Sequence, residues 1–258
     1  MKAELETRAL GIRFGGHVAV DAVSCVFNPG QLTAIVGPNG AGKTTYFNLI
    51  SGQLKASTGQ VLLNGHDITG TSVAARTRGG IGRAFQLTNL FPGLTVAENV
   101  RLAIQAAAGV HYELWRPWMQ RHDLIARADD VLEQVALTAR RNVIAAALSH
   151  GDQRKLEVGL MIALEPQVFM FDEPTAGMSV DEVPVVLDLI ARLKEDRSKI
   201  ILLVEHKMDV VRSLADRIIV LHNGRLMADG KPLEVIASPI VQEAYLGISA
   251  EKAARNVA

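Results

Sequence analysis

The sequence predicts an α/β fold: a mostly parallel central sheet, an antiparallel β unit near the N-terminus and a helical block inserted mid-chain. Three observations carry this. Residues 37–45, Gly-Pro-Asn-Gly-Ala-Gly-Lys-Thr-Thr, satisfy G-x-x-x-x-G-K-[ST] between an apolar run and a helical stretch. That strand–loop–helix order is what a loop needs to wrap phosphates. Two further apolar runs, residues 168–171 and 200–204, are unbroken, as in parallel strands covered on both faces. From about Thr95 to Leu148 the pattern turns helical.

The elements follow in order. Residues 4–12 and 18–27 read as strands joined by a Gly15-Gly16 turn, residues 32–36 as a buried strand and residues 44–50 as a helix. Residues 59–63 form a short strand ended by Asn64-Gly65, a strong hairpin signal. Thr95-Val-Ala-Glu98 has capping-box spacing, in which each side chain satisfies the other's free amide. Leu124, Ala128, Val131 and Val135 then recur at intervals of about four, three and four, one face of an amphipathic helix. Residues 154–164 read as a helix, and so do residues 183–194 if Pro184 lies in the first turn. A second hairpin pairs residues 217–221 with 225–228 across Asn223-Gly224, and the Ala-rich stretch after Gly247 is expected to be loosely held.

Composition sets the frame. The 258 residues are 48% hydrophobic and 21% charged, ordinary for a soluble globular chain. Lys plus Arg and Asp plus Glu number 27 each, a balance that argues against a nucleic-acid binder. The N-terminus, Met-Lys-Ala-Glu-Leu-Glu, is acidic and lacks the apolar core of a signal peptide. The longest apolar run, 158–164 counting Gly159, is far short of a membrane span, so the chain is not expected to cross a membrane by itself. One cysteine, Cys25, forms no internal disulfide and fits a reducing, cytoplasmic compartment.

Several residues carry chemistry. The loop glycines let backbone amides close round an anion, Lys43 can neutralise outer phosphates, and the Thr44 hydroxyl can hold magnesium. Asp172 ends a buried strand, an awkward place for a carboxylate unless it faces a cation. Glu173, one residue further out, can polarise a water for in-line attack on a γ-phosphorus. Leu148-Ser-His-Gly-Asp-Gln153 places Ser149 and Gly151 at a helix N-terminus, itself an anion site, although the plain alternative is an ordinary N-cap. One chain thus holds two phosphate half-sites, which two copies packed head to tail would complete.

The phosphate loop, Gln86, Leu148-Ser-x-Gly151, Asp172-Glu173 and His206 stand in the order found in the ATP-binding subunits of ABC transporters. The chain resembles that family from about Leu5 to Leu246. Arg13-Phe-Gly-Gly16, Asn89-Leu-Phe-Pro-Gly93, Thr175-Ala-Gly-Met178 and Val204-Glu-His-Lys-Met208 look like the subgroup serving branched-chain amino-acid importers and their amide and urea relatives.

The resemblance implies a single P-loop NTPase domain over 1–258. Residues 1–86 and 149–237 would form the core with its antiparallel β subdomain, 87–148 a helical subdomain and 238–258 a C-terminal tail. It implies ATP and Mg²⁺ as ligands. Phe14 would stack on adenine, while Gly37, Pro38, Asn39, Gly40, Ala41, Gly42, Lys43, Thr44 and Thr45 would hold the phosphates. Thr44, Gln86 and Asp172 would serve the metal, with Gln86 also touching the attacking water and sensing the membrane subunit. Glu173 and His206 would act on the γ-phosphate from their own side, and Ser149 and Gly151 from the opposite protomer.

The implied partners are a second ATPase subunit, identical or related, permease subunits and, indirectly, an extracytoplasmic solute-binding protein. The implied location is the cytoplasmic face of the inner membrane. His150 and Asp152 replace the commoner Gly and Gln of the signature, and Ser179 stands where the family often has Asp. The other six histidines (17, 66, 111, 122, 150 and 222) show no metal-ligand spacing. Trp115 and Trp118 suit either a membrane-proximal loop or local packing. Rival readings are an exporter ATPase, a soluble mechanical ATPase of the same superfamily, or a phosphate-loop kinase or GTPase. The guanine motif Asn-Lys-x-Asp is absent, and a kinase has no use for Leu148-Ser-x-Gly151.

Overall fold

The computed structural model describes residues 4–84, 90–109 and 122–246; Gln86, Asn89, Trp115, Trp118 and the stretch after Gly247 lie outside these. The described strands are β1 (Leu5–Phe14), β2 (His17–Phe27), β3 (Gln31–Val36), β4 (Thr58–Leu63), β5 (His66–Asp67), β6 (Ile81–Ala84), β7 (Val168–Asp172), β8 (Ile200–Val204), β9 (Arg217–His222) and β10 (Arg225–Gly230). The described helices are α1 (Lys43–Ser51), α2 (Val73–Arg78), α3 (Val96–Ala107), α4 (His122–Gln134), α5 (His150–Leu164), α6 (Val183–Leu193), α7 (Met208–Leu214), α8 (Pro232–Ala237) and α9 (Pro239–Leu246).

The strands form two sheets. One is antiparallel, in the order β2-β1-β4-β5. The other runs β10-β9-β3-β8-β7-β6, parallel throughout except for β10. Alternate strand residues enter different cores, as a pleat buried on both faces demands. Ile35, Met170, Leu202 and Ile219 pack with α1 and the antiparallel sheet. Phe169, Phe171, Ile201 and Leu203 pack with α3, α4, α5 and α6. Ala34, Val36, Ile218 and Val220 face α7, α8 and α9.

Local chemistry explains most elements. Both hairpin turns have positive φ at their two central residues, 54° and 79° at Asn64-Gly65 and 49° and 77° at Asn223-Gly224. Such values match the right-handed strand twist. Thr95 caps α3 through the reciprocal box with Glu98, and Leu124, Ala128, Val131 and Val135 are all buried in the helical core. Pro184 sits in the first turn of α6, where no amide donor is missed. At the far end of α1, buried Arg76 donates to the carbonyls of Leu49 and Ile50 at 2.7 and 2.6 Å, satisfying the helix's last acceptors.

Not every element has such a local cause. The edge strand β6 and helices α2, α7, α8 and α9 carry no sequence signal strong enough to stand out. Helix α9 falls in the stretch assigned to the tail, yet its Val241 is buried in the third core. Helix α5 begins at His150 and contacts α3 and α4 as well as β6 and α6, so it bridges the helical block and the sheet.

Candidate functional site

The C-terminal ends of β3, β7 and β8 lie side by side, and within two residues of each end stands a residue singled out by sequence. Ligands meet open parallel sheets at such ends. After β3 the loop 37–42 turns into α1, whose N-cap, Gly42, has φ 95° and offers no side chain to the first-turn amides. Those amides and the positive helix end form an anion cradle. A Cβ on Gly42 would stand 2.5 Å from the Ala19 carbonyl oxygen, and one on Gly37 2.2 Å from that of Leu221. Two of the loop's glycines are therefore demanded by β2 and β9 pressing on it from behind. Gly40, with no heavy atom within 4 Å of a built Cβ, is the one that faces open space.

Within the loop, the Pro38 carbonyl accepts from Ala41 N at 3.1 Å, closing a turn over exposed Asn39 and Gly40. Lys43 is buried, and its ammonium donates to the carbonyls of Gly37 at 2.8 Å and Pro38 at 3.0 Å. Burial pushes its pKa down, opposed by the negative charges of Glu173 and Asp172. Thr44 is exposed beside it and Thr45 half-buried.

Asp172 closes β7 and is only 3% exposed. Its Oδ2 accepts from Arg83 Nη2 at 2.8 Å, while no described residue bonds Oδ1. Burial raises its pKa more than the Arg83 charge lowers it. Glu173 follows with φ 48°, in the left-handed region unusual for a side-chain-bearing residue, and its amide donates to Val204 O at 2.9 Å. At the end of β8 the exposed His206 places Nδ1 3.7 Å from Glu173 Oε1. Phe14 ends β1 and is 49% exposed, so it is no core residue. Lys43, Asp172, Glu173 and His206 are thus brought together, and Gln86 lies outside the described residues.

Ser149 and Gly151 are not part of that group. They start α5, whose core is on the opposite face of the sheet from α1. Ser149 is an N-cap, its hydroxyl accepting from Asp152 N at 3.1 Å, and it is exposed. Cap and anion site are therefore compatible readings of one residue. Gly151 is buried, and a Cβ there would stand 2.0 Å from Glu182 Oε1. The other Glu182 oxygen accepts from Ser179 N at 3.2 Å. The glycine thus makes room for an acid from the loop that follows Glu173. Gly151→Ala should displace Glu182 and cost about 1 kcal/mol, the low end for overpacking. In a Glu182→Ala background the same change should cost almost nothing, a coupling that thermal melts of the four proteins would read.

Three residues important to this geometry escaped sequence reasoning: Arg83, Glu205 and Glu182. Arg83 binds Asp172 and also donates to Asn48 Oδ1 and Ser51 Oγ on α1, at 2.6 and 2.7 Å. Its guanidinium lies 4.9 Å from the Phe47 ring centroid. Glu205 is fully buried and accepts from the Thr175 hydroxyl at 2.6 Å. The one available signal was placement, a charged residue at the end of a run otherwise wholly apolar.

The chemistry present fits a nucleotide and a magnesium ion. An uncapped helix start and a buried lysine suit polyphosphate, and the Thr44 hydroxyl with Asp172 Oδ1 gives hard oxygen donors of the kind magnesium takes alongside phosphate oxygens. Among the described residues no cluster of three or more His, Cys, Asp or Glu is assembled for a metal, so a metal here would draw its remaining ligands from substrate and water. Nor, among them, is any helix long and apolar enough to cross a membrane.

Known proteins resemble this chain in sequence and fold. A family profile described as ABC transporter matches residues 20–176. The high-affinity branched-chain amino acid transport ATP-binding protein LivG of Escherichia coli K12 is 37% identical over 248 residues, covering 94% of this chain and 97% of that protein. BraF of Pseudomonas aeruginosa, named for the same transport, is 36% identical with the same coverage. Among solved structures, the ADP conformation of MJ1267, an ATP-binding cassette of an ABC transporter, superposes with TM-score 0.81 at 30% identity, over 96% of this chain and all of that one. The dimeric post-hydrolysis state of the cassette MJ0796, bound to ADP and Pi, gives 0.75 at 25% identity, over 88% of this chain and 98% of that one.

Proposed function

This chain belongs to the ABC transporter family as an ATP-binding, ATP-hydrolysing subunit, and from that premise we propose that it powers uptake of branched-chain amino acids or a related small polar solute. The reading of its working form rests on one observation: the Lys43 loop and the Ser149 helix end lie on opposite faces of one sheet, so a single chain leaves both phosphate half-sites open. Two modules facing each other would close both. A dimer is reported for MJ0796, and the import assignment follows the kinship with LivG and BraF.

In this reading Phe14 stacks on the adenine, and the loop from Gly37 to Thr45 holds the phosphates through its amides. Lys43 moves its ammonium from the loop carbonyls to the outer phosphates. Thr44, Asp172 and Gln86 would hold magnesium, which when bound neutralises phosphate charge. Glu173 polarises the attacking water, and His206, 3.7 Å from it, contacts the same phosphate. Ser149 and Gly151 of the facing module complete the enclosure. Hydrolysis divides the bridging charge and the modules part.

Permease subunits follow that motion as the chain works peripherally at the cytoplasmic face of the inner membrane. The stretch from Gln86 to Leu94 is the lever, and its Phe91 joins Leu102, Ala106, Met161 and Leu164 in lining a largely apolar cavity of about 340 Å³ that Arg83 and Glu157 also border. The test is reconstitution: the chain, purified with its membrane subunits in vesicles, should drive ATP-dependent uptake of leucine or a small amide. Co-purification with nucleic acid and no membrane subunit would overturn the transport reading. At the loop itself, a charge-assisted hydrogen bond is worth about 1.5–3 kcal/mol. Lys43→Ala should therefore raise the Kd for ATP about 10–100-fold in an equilibrium titration.

A further inference from the structure

A carboxylate is buried one position before His206, where the Glu173 and His206 segments meet. Glu205 has no exposed surface, and Thr175 only 1%. Both carboxylate oxygens are used. Oε1 accepts from the Thr175 hydroxyl at 2.6 Å, and Oε2 accepts from the amides of His206 at 2.9 Å and Lys207 at 3.2 Å. The first bond reaches the loop two residues beyond Glu173; the other two fix the chain as it leaves β8. A buried carboxylate is tolerated only when its lone pairs are met, and all three donors come from the two segments that carry the candidate chemistry.

The loop so gripped is under strain. Glu173 has φ 48°, and Ala176 N donates to Glu173 O at 3.0 Å in a tight turn that continues through Gly177 at φ 74°. A left-handed conformation at a side-chain-bearing residue is costly and persists only where the surroundings over-determine it. Two anchors do so here: the Glu173 N to Val204 O bond on one side and the Thr175–Glu205 bond on the other. His206 Nδ1 ends up 3.7 Å from Glu173 Oε1 and 3.8 Å from Glu205 Oε2, between the two carboxylates.

We infer that Glu205, through Thr175, is a positioning residue for hydrolysis: it holds the strained Glu173 turn and the His206 main chain at one fixed separation. Both side chains are buried and spend their polar atoms within the protein, so the effect falls on turnover rather than binding. This rests on the role given above to Glu173 as the group that polarises water.

The test uses the full chain and steady-state ATP hydrolysis. Thr175→Val removes the hydroxyl and keeps the shape; Thr175→Ser keeps the hydroxyl. The valine variant should lose about tenfold in kcat with KM for ATP within about twofold, and the serine variant should recover to within about twofold of the parent, a loss of the size that small misplacement of reacting groups produces. Glu205→Gln should reproduce the valine result, and it decides the matter if Thr175→Val does not fold. A purely structural bond would lower the melting temperature of Thr175→Val and leave kcat intact; that result, or a serine variant as impaired as the valine one, overturns the inference. If Glu173→Gln still hydrolyses ATP, the role of Glu173 fails; if Glu173→Gln stalls while Thr175→Val and Glu205→Gln turn over normally, only the brace fails.

Discussion

Glu173→Gln is expected to bind ATP as the parent does and to turn it over about 10²–10⁴-fold more slowly, the range assigned to a positioned general base. The substitution keeps size and hydrogen-bonding reach but removes the charge that draws a proton from water. The main-chain bond to Val204 does not depend on the side chain, so the φ 48° turn should persist. With hydrolysis stopped, nucleotide remains in the enclosure and the facing modules stay together. Size-exclusion chromatography in ATP should show a lasting dimer where the parent shows a transient one. Unaltered hydrolysis would remove Glu173 from the mechanism, and a stalled monomer would break the link between trapped nucleotide and pairing.

Arg83→Met should lower stability by about 3–5 kcal/mol, the usual cost of deleting one partner of a buried ion pair. In a chain of this size that corresponds to a fall of roughly 10 °C in melting temperature. The two side chains are 7% and 2% exposed, so water offers Asp172 little compensation. The same guanidinium anchors Asn48 and Ser51 on α1, and its loss loosens the far end of the phosphate-loop helix as well. Burial already holds the Asp172 carboxyl above its ordinary range despite Arg83. An acid so raised costs stability once the pH passes its unfolded value, and costs nothing when protonated in both states. Without Arg83 only the weaker pull of the Lys43 charge still opposes the burial penalty. The deficit of Arg83→Met should thus be full at neutral pH and shrink as the pH falls into the carboxylate range. Melts at about pH 7.5 and pH 4.5 would show it, and a deficit that does not change with pH would mean packing, not charge, is what Arg83 supplies.

Much of this protein was readable before any coordinate. Hairpins at Asn64-Gly65 and Asn223-Gly224, the Thr95–Glu98 box and the first-turn Pro184 depend on neighbours within four residues, so spacing states them. The strand runs at 168–171 and 200–204 follow from burial on both faces, a property each strand carries along its own length. The phosphate loop belongs with these, because glycine, lysine and threonine at fixed offsets already define the cradle. Short β6, with two of its four residues only half-buried, has no such periodicity.

The sequence by itself therefore determined the two hairpins, the buried strands and the capped helices, the phosphate cradle, and the residues Asp172, Glu173 and His206 as its companions. Tertiary structure alone decided what holds them: Arg83 on Asp172 from 89 positions away, Glu205 on Thr175 from 30, and Glu182 against Gly151. The reason is dielectric and geometric. A charged side chain in a sequence is by default solvated, and only the fold, by burying it beside one distant partner, turns it into a brace.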